Sequence, residues 1–410
     1  MAMPLPIDGE RPQQPAPAQV PVPARRRRVL IATDTYPPDV NGAAYFTHRL
    51  AAGLAARDNV VHVVCASDDG PARTERVDGV TVHRMRSARL PGQSGMRVSL
   101  PARLDRLIFG VRPDVVHTQG HFVVGRAAMA AARRARTPVV ATNHFMPDNL
   151  FQFAHIPERM RARAGELAWR DFVRIFAQAD RVTTPTPTAA GLLAGKGLAR
   201  EVEAVSCGID LSRFQPSNRP KAWSRKLLGL PDLPTVLFVG RLDEEKRLDE
   251  LIRALPFVLN TMDAQVALAG QGSRRAELER LAGRIGVGER VRFLGFVPDE
   301  TLPDVYAAAD VFCMPGVAEL QSIATLEAAA TGLPVVAADA MALPHLVRPG
   351  VNGRLYPPGD VRVLATHLTG LLGSPAARAT MGEASRTIAA GHDDQASLAR
   401  FEEIYAELAR

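Results

Sequence analysis

Residues 319–338, Glu319-Leu-Gln-Ser-Ile-Ala-Thr-Leu-Glu327-Ala-Ala-Ala-Thr-Gly332-Leu-Pro-Val-Val-Ala-Ala338, have the pattern of a loop, a helix and a buried strand. The helix is predicted to begin near Ser322 and to end at Gly332. The apolar run before it, Val311-Phe-Cys-Met314, predicts another buried strand. A helix that begins at the carboxyl end of a strand offers unpaired N–H groups and a positive dipole end, which suit a diphosphate.

Two glutamates flank the start of this predicted helix. Glu319 comes just before it and Glu327 lies about two turns inside it. A spacing of eight residues brings both carboxylates to roughly the same side, so both can face one ligand. A solvated surface helix is the alternative. The apolar neighbours of Glu327 favour a half-buried carboxylate that needs a hydrogen-bond partner, such as a sugar or ribose hydroxyl.

The composition predicts a two-domain cytoplasmic protein. A chain of 410 residues with 46% hydrophobic residues can fill two cores of ordinary size. Residues 1–24 predict a disordered leader without a secretory signal, and no apolar run is long enough to span a bilayer. The widely spaced cysteines fit reduced thiols, and the low aromatic content gives no sign of a nucleic-acid partner.

Basic residues are concentrated in the first half of the chain. Residues 1–213 carry 29 basic and 19 acidic side chains, whereas residues 214–410 carry 21 and 24. Five arginines lie in a predicted amphipathic helix over residues 157–177, whose apolar side is predicted to be Leu167, Phe172, Val173 and Phe176. This helix is either an ordinary surface helix or a face for an anionic membrane, which would place the protein on the inner face of the plasma membrane.

Strands and helices alternate in the first half. A strand near Val29 leads into a loop that holds Gly42, and two later strands lead into His121 and His144. Doubly wound sheets bind ligands at the carboxyl ends of their strands, so these three residues are predicted to share one crevice. For each histidine alone, a loop residue bonded to the backbone remains the alternative.

A second strand and helix series begins at Thr235. Its first strand ends at Gly240, and Arg241 and Lys246 follow. An arginine fork and a lysine point charge can together hold a diphosphate and neutralise it as it leaves. The chain contains no Asp-x-Asp, so we expect protein cations to replace a metal ion. Gly270-Gln-Gly272 indicates a tight turn with a phosphate contact as an option.

We therefore predict an α/β fold with two Rossmann-like, doubly wound parallel-sheet domains around a cleft. The predicted ranges are 25–213 for the first domain, 214–234 for a linker, 235–390 for the second domain, and 391–410 for a final helix that crosses back to the first.

Four segments of the second half resemble glycosyltransferase family 4. They are Gly240-Arg-Leu-Asp-Glu-Glu-Lys246, Gly295-Phe-Val-Pro298, the segment from Glu319 to Gly332-Leu-Pro-Val-Val, and Asn352-Gly-Arg-Leu-Tyr-Pro-Pro358. Tyr36-Pro-Pro-Asp-Val-Asn-Gly42 and Thr142-Asn-His-Phe-Met-Pro147 look most like members that glycosylate diacylglycerol or similar lipids. The resemblance implies the two-domain GT-B architecture and a retaining reaction.

The resemblance also implies roles for individual residues. Gly240, Arg241 and Lys246 would hold the donor diphosphate, and Glu319 would hold the transferred sugar. Glu327 would bind the ribose, and the backbone at Ser322 and Ile323 would bind the sugar or the phosphate. Val297 would contact the base, and Gly42 would close on the donor from the other side.

Two departures from the family pattern leave alternatives open. Gln321-Ser322 stands where the family often has Phe-Gly, which leaves the sugar undetermined. Gln119 stands where many members carry a catalytic histidine, so Gln119, His121 or His144 lies beside the anomeric carbon.

The function expected from the resemblance is transfer of a hexosyl group from a UDP- or GDP-sugar to a hydroxyl, without a cofactor or metal ion. The acceptor would be a lipid such as diacylglycerol or, alternatively, a soluble metabolite. Two further alternatives are a phosphorylase-like reaction and a nucleotide-sugar-binding protein that has lost activity.

Overall fold

The computed structural model describes residues 26–89, 97–99, 104–147 and 158–409. The leader predicted over residues 1–24 lies outside the described residues. An eight-stranded sheet forms the first half, in the order β10-β9-β8-β7-β1-β2-β4-β3. Its strands are β1 (Arg28–Ala32), β2 (Val60–Ala66), β3 (Arg73–Val77), β4 (Val80–Met85), β7 (Val115–Thr118), β8 (Val139–Thr142), β9 (Arg181–Thr184) and β10 (Val202–Ala204).

Helices and a small hairpin connect and cover this sheet. The hairpin pairs β5 (Ser87–Arg89) with β6 (Arg97–Ser99) in antiparallel fashion. The helices of the first half are α1 (Gly42–Ala56), α2 (Leu104–Val111), α3 (Val123–Ala135), α4 (Glu158–Phe176) and α5 (Pro187–Gly195). The next helix, α6 (Lys221–Leu227), contacts the second half, where Arg225 donates to Asp310 at 2.6 Å.

A six-stranded parallel sheet forms the second half, in the order β13-β12-β11-β14-β15-β16. Its strands are β11 (Thr235–Val239), β12 (Gln265–Ala269), β13 (Val291–Gly295), β14 (Val311–Met314), β15 (Val335–Ala338) and β16 (Gly353–Tyr356). Its helices, with the last helix of the chain, are α7 (Leu248–Leu259), α8 (Arg275–Arg284), α9 (Leu302–Ala307), α10 (Ile323–Ala330), α11 (Leu343–Leu346), α12 (Val361–Leu372), α13 (Pro375–Ala390) and α14 (Asp394–Leu408). The predicted fold class, two Rossmann-like doubly wound sheets, is confirmed.

The strand orders locate two crevices. In the first sheet the order reverses between β1 and β7, and in the second it reverses between β11 and β14. Loops on either side of such a reversal leave in opposite directions and open a crevice at the carboxyl ends of the strands. The loops after β1, β7, β11 and β14 are therefore the ones positioned to hold a ligand.

Strand β3, at the edge of the first sheet, was not predicted from the sequence. It lies between β2 and β4 in the chain and pairs antiparallel with β4. The sequence of β3 is Arg-Thr-Glu-Arg-Val, and it lies at the edge of the sheet. Edge strands carry charged residues that discourage pairing with another chain, so β3 lacks the apolar pattern of a buried strand.

The last helix of the chain packs against the first sheet. Leu398, Phe401, Ile404 and Tyr405 of α14 are buried in the same apolar cluster as side chains of α1 and β2. The chain thus passes between the two halves twice, once near Ile209 and once near Asp393, and these two segments are joined by a parallel bridge.

Candidate active site

The loops that leave β11 and β12 pack backbone against backbone. Gly240 and Gly270 both have positive φ angles, of 149° and 144°. A Cβ on Gly270 would overlap the carbonyl oxygen of Gly240, and one on Gly272 would overlap the backbone of Leu242. The Gly270-Gln-Gly272 motif thus has a structural explanation, because only glycine allows the two loops this approach.

The two predicted cations lie at the carboxyl end of β11. Arg241 donates to Glu245 at 2.7 Å and also pairs with Asp243. Lys246 ends a short 3-10 helix, and its ammonium contacts Glu319 Oε1. The Lys246–Glu319 pair joins the loop after β11 to the loop after β14, so the structure brings these two predicted residues into direct contact.

Gly316 lies beside this ion pair and did not emerge from the sequence. A Cβ on Gly316 would lie 2.9 Å from Glu319 Oε1 and 3.5 Å from Lys246 Cδ. A larger residue would therefore press on both charged side chains. The only sequence signal was the Pro315-Gly316 pair that follows β14.

Helix α10 begins at Ile323, as its sequence predicts. Ser322 is its N-cap, and its hydroxyl accepts from the N–H of Thr325 at 3.3 Å. Capping of this kind is a strong signal for a helix start.

Helix α1 begins on the other side of the crevice. Its first residue is Gly42, and a Cβ built there would lie 4.0 Å from Ile323 Cδ1. The first residues of α1 and α10 are thus neighbours, although they belong to different halves of the chain. Both helix starts carry free N–H groups and partial positive charge, so an anion between them would be favoured by both.

Glu327 is buried on α10. Its Oε2 accepts a hydrogen bond from the Tyr306 hydroxyl at 2.7 Å, and burial raises the pKa of Glu327 to about 7. Burial, with a further contribution from the Glu327 charge, raises the pKa of Tyr45 on α1 to about 12. Glu319 and Glu327 therefore have different partners, a lysine and a tyrosine. Tyr306 lies on α9, and no local pattern pointed to it.

Val297 follows β13 in the second sheet. Its side chain is half-buried against the second core, whereas Phe296 beside it is exposed. Arg213, in the connection between the two halves, reaches the same loop and pairs with Asp299 at 2.5 Å. The loop that the resemblance assigns to the base is thus held by the chain segment that joins the two halves.

Gln119 and His144 form one polar pair at the carboxyl ends of β7 and β8. His144 Nε2 lies 2.7 Å from Gln119 Oε1, and burial lowers the pKa of His144 to about 4. Gln119 Nε2 lies 3.2 Å from Nε2 of the fully buried His117. His117 Nδ1 in turn meets the Tyr405 hydroxyl of α14 at 2.7 Å. Gln119 and His144 were candidates from the sequence, but their connection through His117 to Tyr405 was not predicted.

His121 has a different environment. It is buried, and its ring packs edge-on against Phe172 of α4 with 4.8 Å between the centroids. A second aromatic ring, that of Phe122, lies 4.3 Å away. Burial lowers the pKa of His121 to about 4. These contacts are typical of a core side chain.

Within the described part of the chain, no group of three or more histidine, cysteine or acidic side chains is arranged to hold a metal ion. In the same residues, no helix combines the length and apolarity needed to cross a membrane.

Two family models match the chain. The model for glycosyltransferase family 4 covers residues 40–213, and the model for glycosyl transferases group 1 covers residues 233–374. D-inositol 3-phosphate glycosyltransferase of Salinispora arenicola is 31% identical, over 94% of this chain and 93% of its own length. A GDP-mannose-dependent alpha-(1-6)-phosphatidylinositol monomannoside mannosyltransferase of Mycolicibacterium smegmatis is 36% identical, over 52% of this chain and 58% of its own length.

Among solved structures, HepE of Anabaena in complex with UDP is similar in fold. It has a TM-score of 0.74 and 21% identity, and the match covers 93% of this chain and 100% of that one. The matches span both halves of the chain and the crevice between them. The chain therefore belongs to glycosyltransferase family 4.

Proposed function

We propose that this hexosyltransferase uses a UDP- or GDP-sugar as its nucleotide-sugar donor. The proposed reaction retains the configuration of the anomeric carbon and needs no metal ion. One observation carries the proposal: the starts of α1 and α10 are neighbours, at the same crevice as Lys246 and Glu319. This crevice offers two positive helix ends and a lysine, which suit a diphosphate.

The donor would lie along the crevice. The diphosphate would meet Arg241, Lys246 and the N–H groups at Gly42 and Ser322. Its negative charge would replace that of Glu245 and Glu319, which pair with Arg241 and Lys246 in the structure. The ionised carboxylate of Glu327 would accept from ribose hydroxyls. The remaining donor contacts follow the family pattern, with the sugar at Glu319 and the backbone of Ile323, the phosphate near Gly240, and the base at the backbone of Val297.

Transfer begins as the bond between the anomeric carbon and the diphosphate oxygen breaks. Negative charge then builds on the diphosphate, and fixed N–H groups and cations lower the energy of this transition state. The acceptor hydroxyl attacks from the face that the diphosphate leaves, and its proton passes to a diphosphate oxygen. Attack from this face retains the anomeric configuration.

The Gln119–His144 pair is the best placed of the three candidates to meet the sugar. It lies at the carboxyl ends of β7 and β8, whereas His121 packs among aromatic rings. We expect His144→Ala to lower turnover about 100-fold, the range for a misplaced reacting group, and to cost less stability than His121→Ala, because His144 is only half-buried. We expect His121→Ala to lower the free energy of unfolding by about 1–3 kcal/mol. Steady-state kinetics and urea unfolding of both variants separate the roles, and the opposite pattern would assign the sugar contact to His121.

Helix α4 supports a membrane-bound acceptor. Trp169, Phe172 and Phe176 form its buried side, while Leu167 is 64% exposed, so its predicted place on the apolar side is wrong. Leu167 and Phe172 are five positions apart, which places them about 140° apart around the helix axis. Leu167 therefore lies on the other side of α4 from the buried Phe172.

The exposed side of α4 carries apolar, basic and acidic side chains, since Arg170 lies 3.6 Å from Glu166 and Arg174 donates to Asp171 at 2.7 Å. Met160, Arg163, Leu167, Arg170 and Arg174 repeat at intervals of three and four residues along one exposed stripe. The side chains of Arg159 and Arg161 lie outside the described residues. Arginines interleaved with apolar residues fit an anionic bilayer surface, with the apolar groups at the level of the head groups.

We propose a lipid acceptor, such as diacylglycerol, and a cytoplasmic enzyme that binds the inner face of the plasma membrane. The mannosyltransferase of M. smegmatis supports this acceptor class, because its name specifies phosphatidylinositol monomannoside. The second candidate is a soluble acceptor. It is supported by the S. arenicola relative, because the name of that enzyme specifies D-inositol 3-phosphate.

Vesicle binding distinguishes the two acceptors. Each basic residue near an anionic surface contributes about 1 kcal/mol, so replacing Arg163, Arg170 and Arg174 by serine should weaken binding to phosphatidylglycerol vesicles about 100-fold. The matched control replaces three exposed arginines of α7 and α8, namely Arg253, Arg280 and Arg284. Cosedimentation at low and high salt measures the effect. Absence of binding by the wild type at low salt would favour the soluble acceptor.

A further inference from the structure

The loop between β14 and α10 is anchored in the other half of the molecule. Leu320 lies in this loop, yet it is only 6% exposed and belongs to the apolar cluster of the first sheet. Its carbonyl oxygen accepts from the hydroxyl of Thr186 at 2.8 Å. Thr186 is fully buried and caps the start of α5. Leu320 is therefore fixed by both its side chain and its backbone to the first half.

Gln321, the next residue, binds the segment that joins the two halves. Its Oε1 accepts from the N–H of Cys207 at 2.8 Å, and its Nε2 donates to Ser206 Oγ at 3.0 Å. The Ser206 hydroxyl also lies 2.9 Å from His392 Nδ1. One glutamine side chain thus uses both its acceptor and its donor on this segment.

Both passages of the chain between the halves meet at this point. Ile209 donates its N–H to the carbonyl oxygen of His392 at 2.9 Å, and Asp394 donates to the carbonyl oxygen of Ile209 at 3.1 Å. Ile209 lies two positions after Cys207, so Gln321 meets the first passage beside the point where the second passage joins it. Any rotation of one half against the other must bend the chain here, so Gln321 contacts the hinge itself.

The neighbours of Leu320 and Gln321 belong to the donor site. Glu319 pairs with Lys246 on one side, and Ser322 caps α10 on the other. Opening of the halves would draw Thr186 away from Leu320 and would bend the segment at Cys207 that Gln321 contacts, so the loop would lose the contacts that hold it in place. Placement of Glu319 and of the α10 N-terminus therefore depends on the closed arrangement.

We propose that Gln321 is a positioning residue that couples closure of the two halves to the geometry of the donor loop. It does not contact the reacting atoms; it holds Glu319 and Ser322 in place through the hinge. The inference rests on the proposed function, because it assigns the β14–α10 loop to the donor sugar and diphosphate. It also gives a physical role to the glutamine that stands where the family pattern often has phenylalanine.

The first test compares Gln321→Ala with two other variants. Gln321→Glu keeps the acceptor for the N–H of Cys207 but loses the donor to Ser206, and Gln215→Ala is a matched control at an exposed glutamine of the connecting segment. We expect Gln321→Ala to lower kcat about 10–100-fold, as a shift of about 1 Å in a reacting group does. The Kd for UDP or GDP should rise by a smaller factor than kcat falls, because Arg241 and Lys246 still hold the diphosphate while the N–H groups at Ser322 are displaced. Gln321→Glu should fall between Gln321→Ala and the wild type, and Gln215→Ala should match the wild type.

A second measurement does not depend on turnover. Small-angle X-ray scattering with UDP or GDP bound should give a larger radius of gyration for Gln321→Ala than for the wild type and for Gln215→Ala. If Gln321→Ala does not fold, Gln321→Glu and Thr186→Val replace it. An equal radius of gyration in the folded variants, or a kcat within twofold of the wild type, would overturn the coupling. Lack of turnover by the wild type would contradict the proposed function instead, and scattering would still decide the role of Gln321.

Discussion

Replacement of Arg241 or Lys246 by alanine is expected to lower turnover by about two to four orders of magnitude. Loss of one preorganised group that stabilises a developing charge has an effect of this size. Both side chains lie at the carboxyl end of β11, and Lys246 contacts Glu319. Removal of Lys246 would also leave Glu319, which is mostly buried, without its counter-charge.

The variants are measured by steady-state release of UDP or GDP from the donor. Arg241→Lys retains the charge but loses the two-pronged geometry, so it should retain more activity than Arg241→Ala. Arg253→Ala is the matched control, because Arg253 is exposed on α7 and only pairs with Asp249 at 3.7 Å. Near wild-type turnover in both Arg241→Ala and Lys246→Ala would contradict the assigned diphosphate site.

Replacement of Glu327 by glutamine should change how stability depends on pH. Burial raises the pKa of Glu327 from 4.5 to about 7, so the folded state holds a proton that the unfolded state has lost between these values. The free energy of unfolding of the wild type therefore falls by up to about 3 kcal/mol as the pH rises from about 4.5 to about 7. Glu327→Gln, which cannot ionise, should be more stable than the wild type at pH 8 and similar to it near pH 4.5.

Urea unfolding at several pH values tests this prediction. The control is Glu279→Gln, because Glu279 is exposed on α8 and pairs with Arg275. UDP or GDP should also bind the wild type more weakly as pH falls below about 7, since a protonated carboxyl is a poorer acceptor for ribose hydroxyls. Parallel stability curves for the wild type and Glu327→Gln across pH 4.5–8 would show that Glu327 does not titrate as inferred.

Local patterns predicted much of the fold because they depend on neighbours in sequence. The start of α10 after Ser322 and its end near Gly332 followed from a cap and a glycine, and Gly332 has a φ of 81°. Strands β11, β14 and β15 of the second half were equally readable as short apolar runs between turns. Such signals are contained in ten or so residues, so no partner elsewhere in the chain is needed to read them.

The contacts that define the site depend on residues far apart in sequence, and periodicity does not reveal them. The Tyr306 hydroxyl bonds Glu327, which lies 21 positions further along the chain. His144 contacts Gln119, which lies 25 positions before it. Gln321 meets Ser206 over 115 positions. Family resemblance supplied expected roles for the donor-site residues, but it gave no indication of which side chains support them.

Nucleoside diphosphate release shows whether protein groups alone hold the diphosphate. It is measured on a panel of UDP- and GDP-sugars, with acceptor-containing vesicles, in the presence and absence of a chelator. We predict that at least one donor releases UDP or GDP and that excess EDTA leaves the rate unchanged, because Arg241, Lys246 and the two helix starts hold the diphosphate. Release that requires Mg²⁺ and stops with EDTA, or no release from any donor, would contradict it.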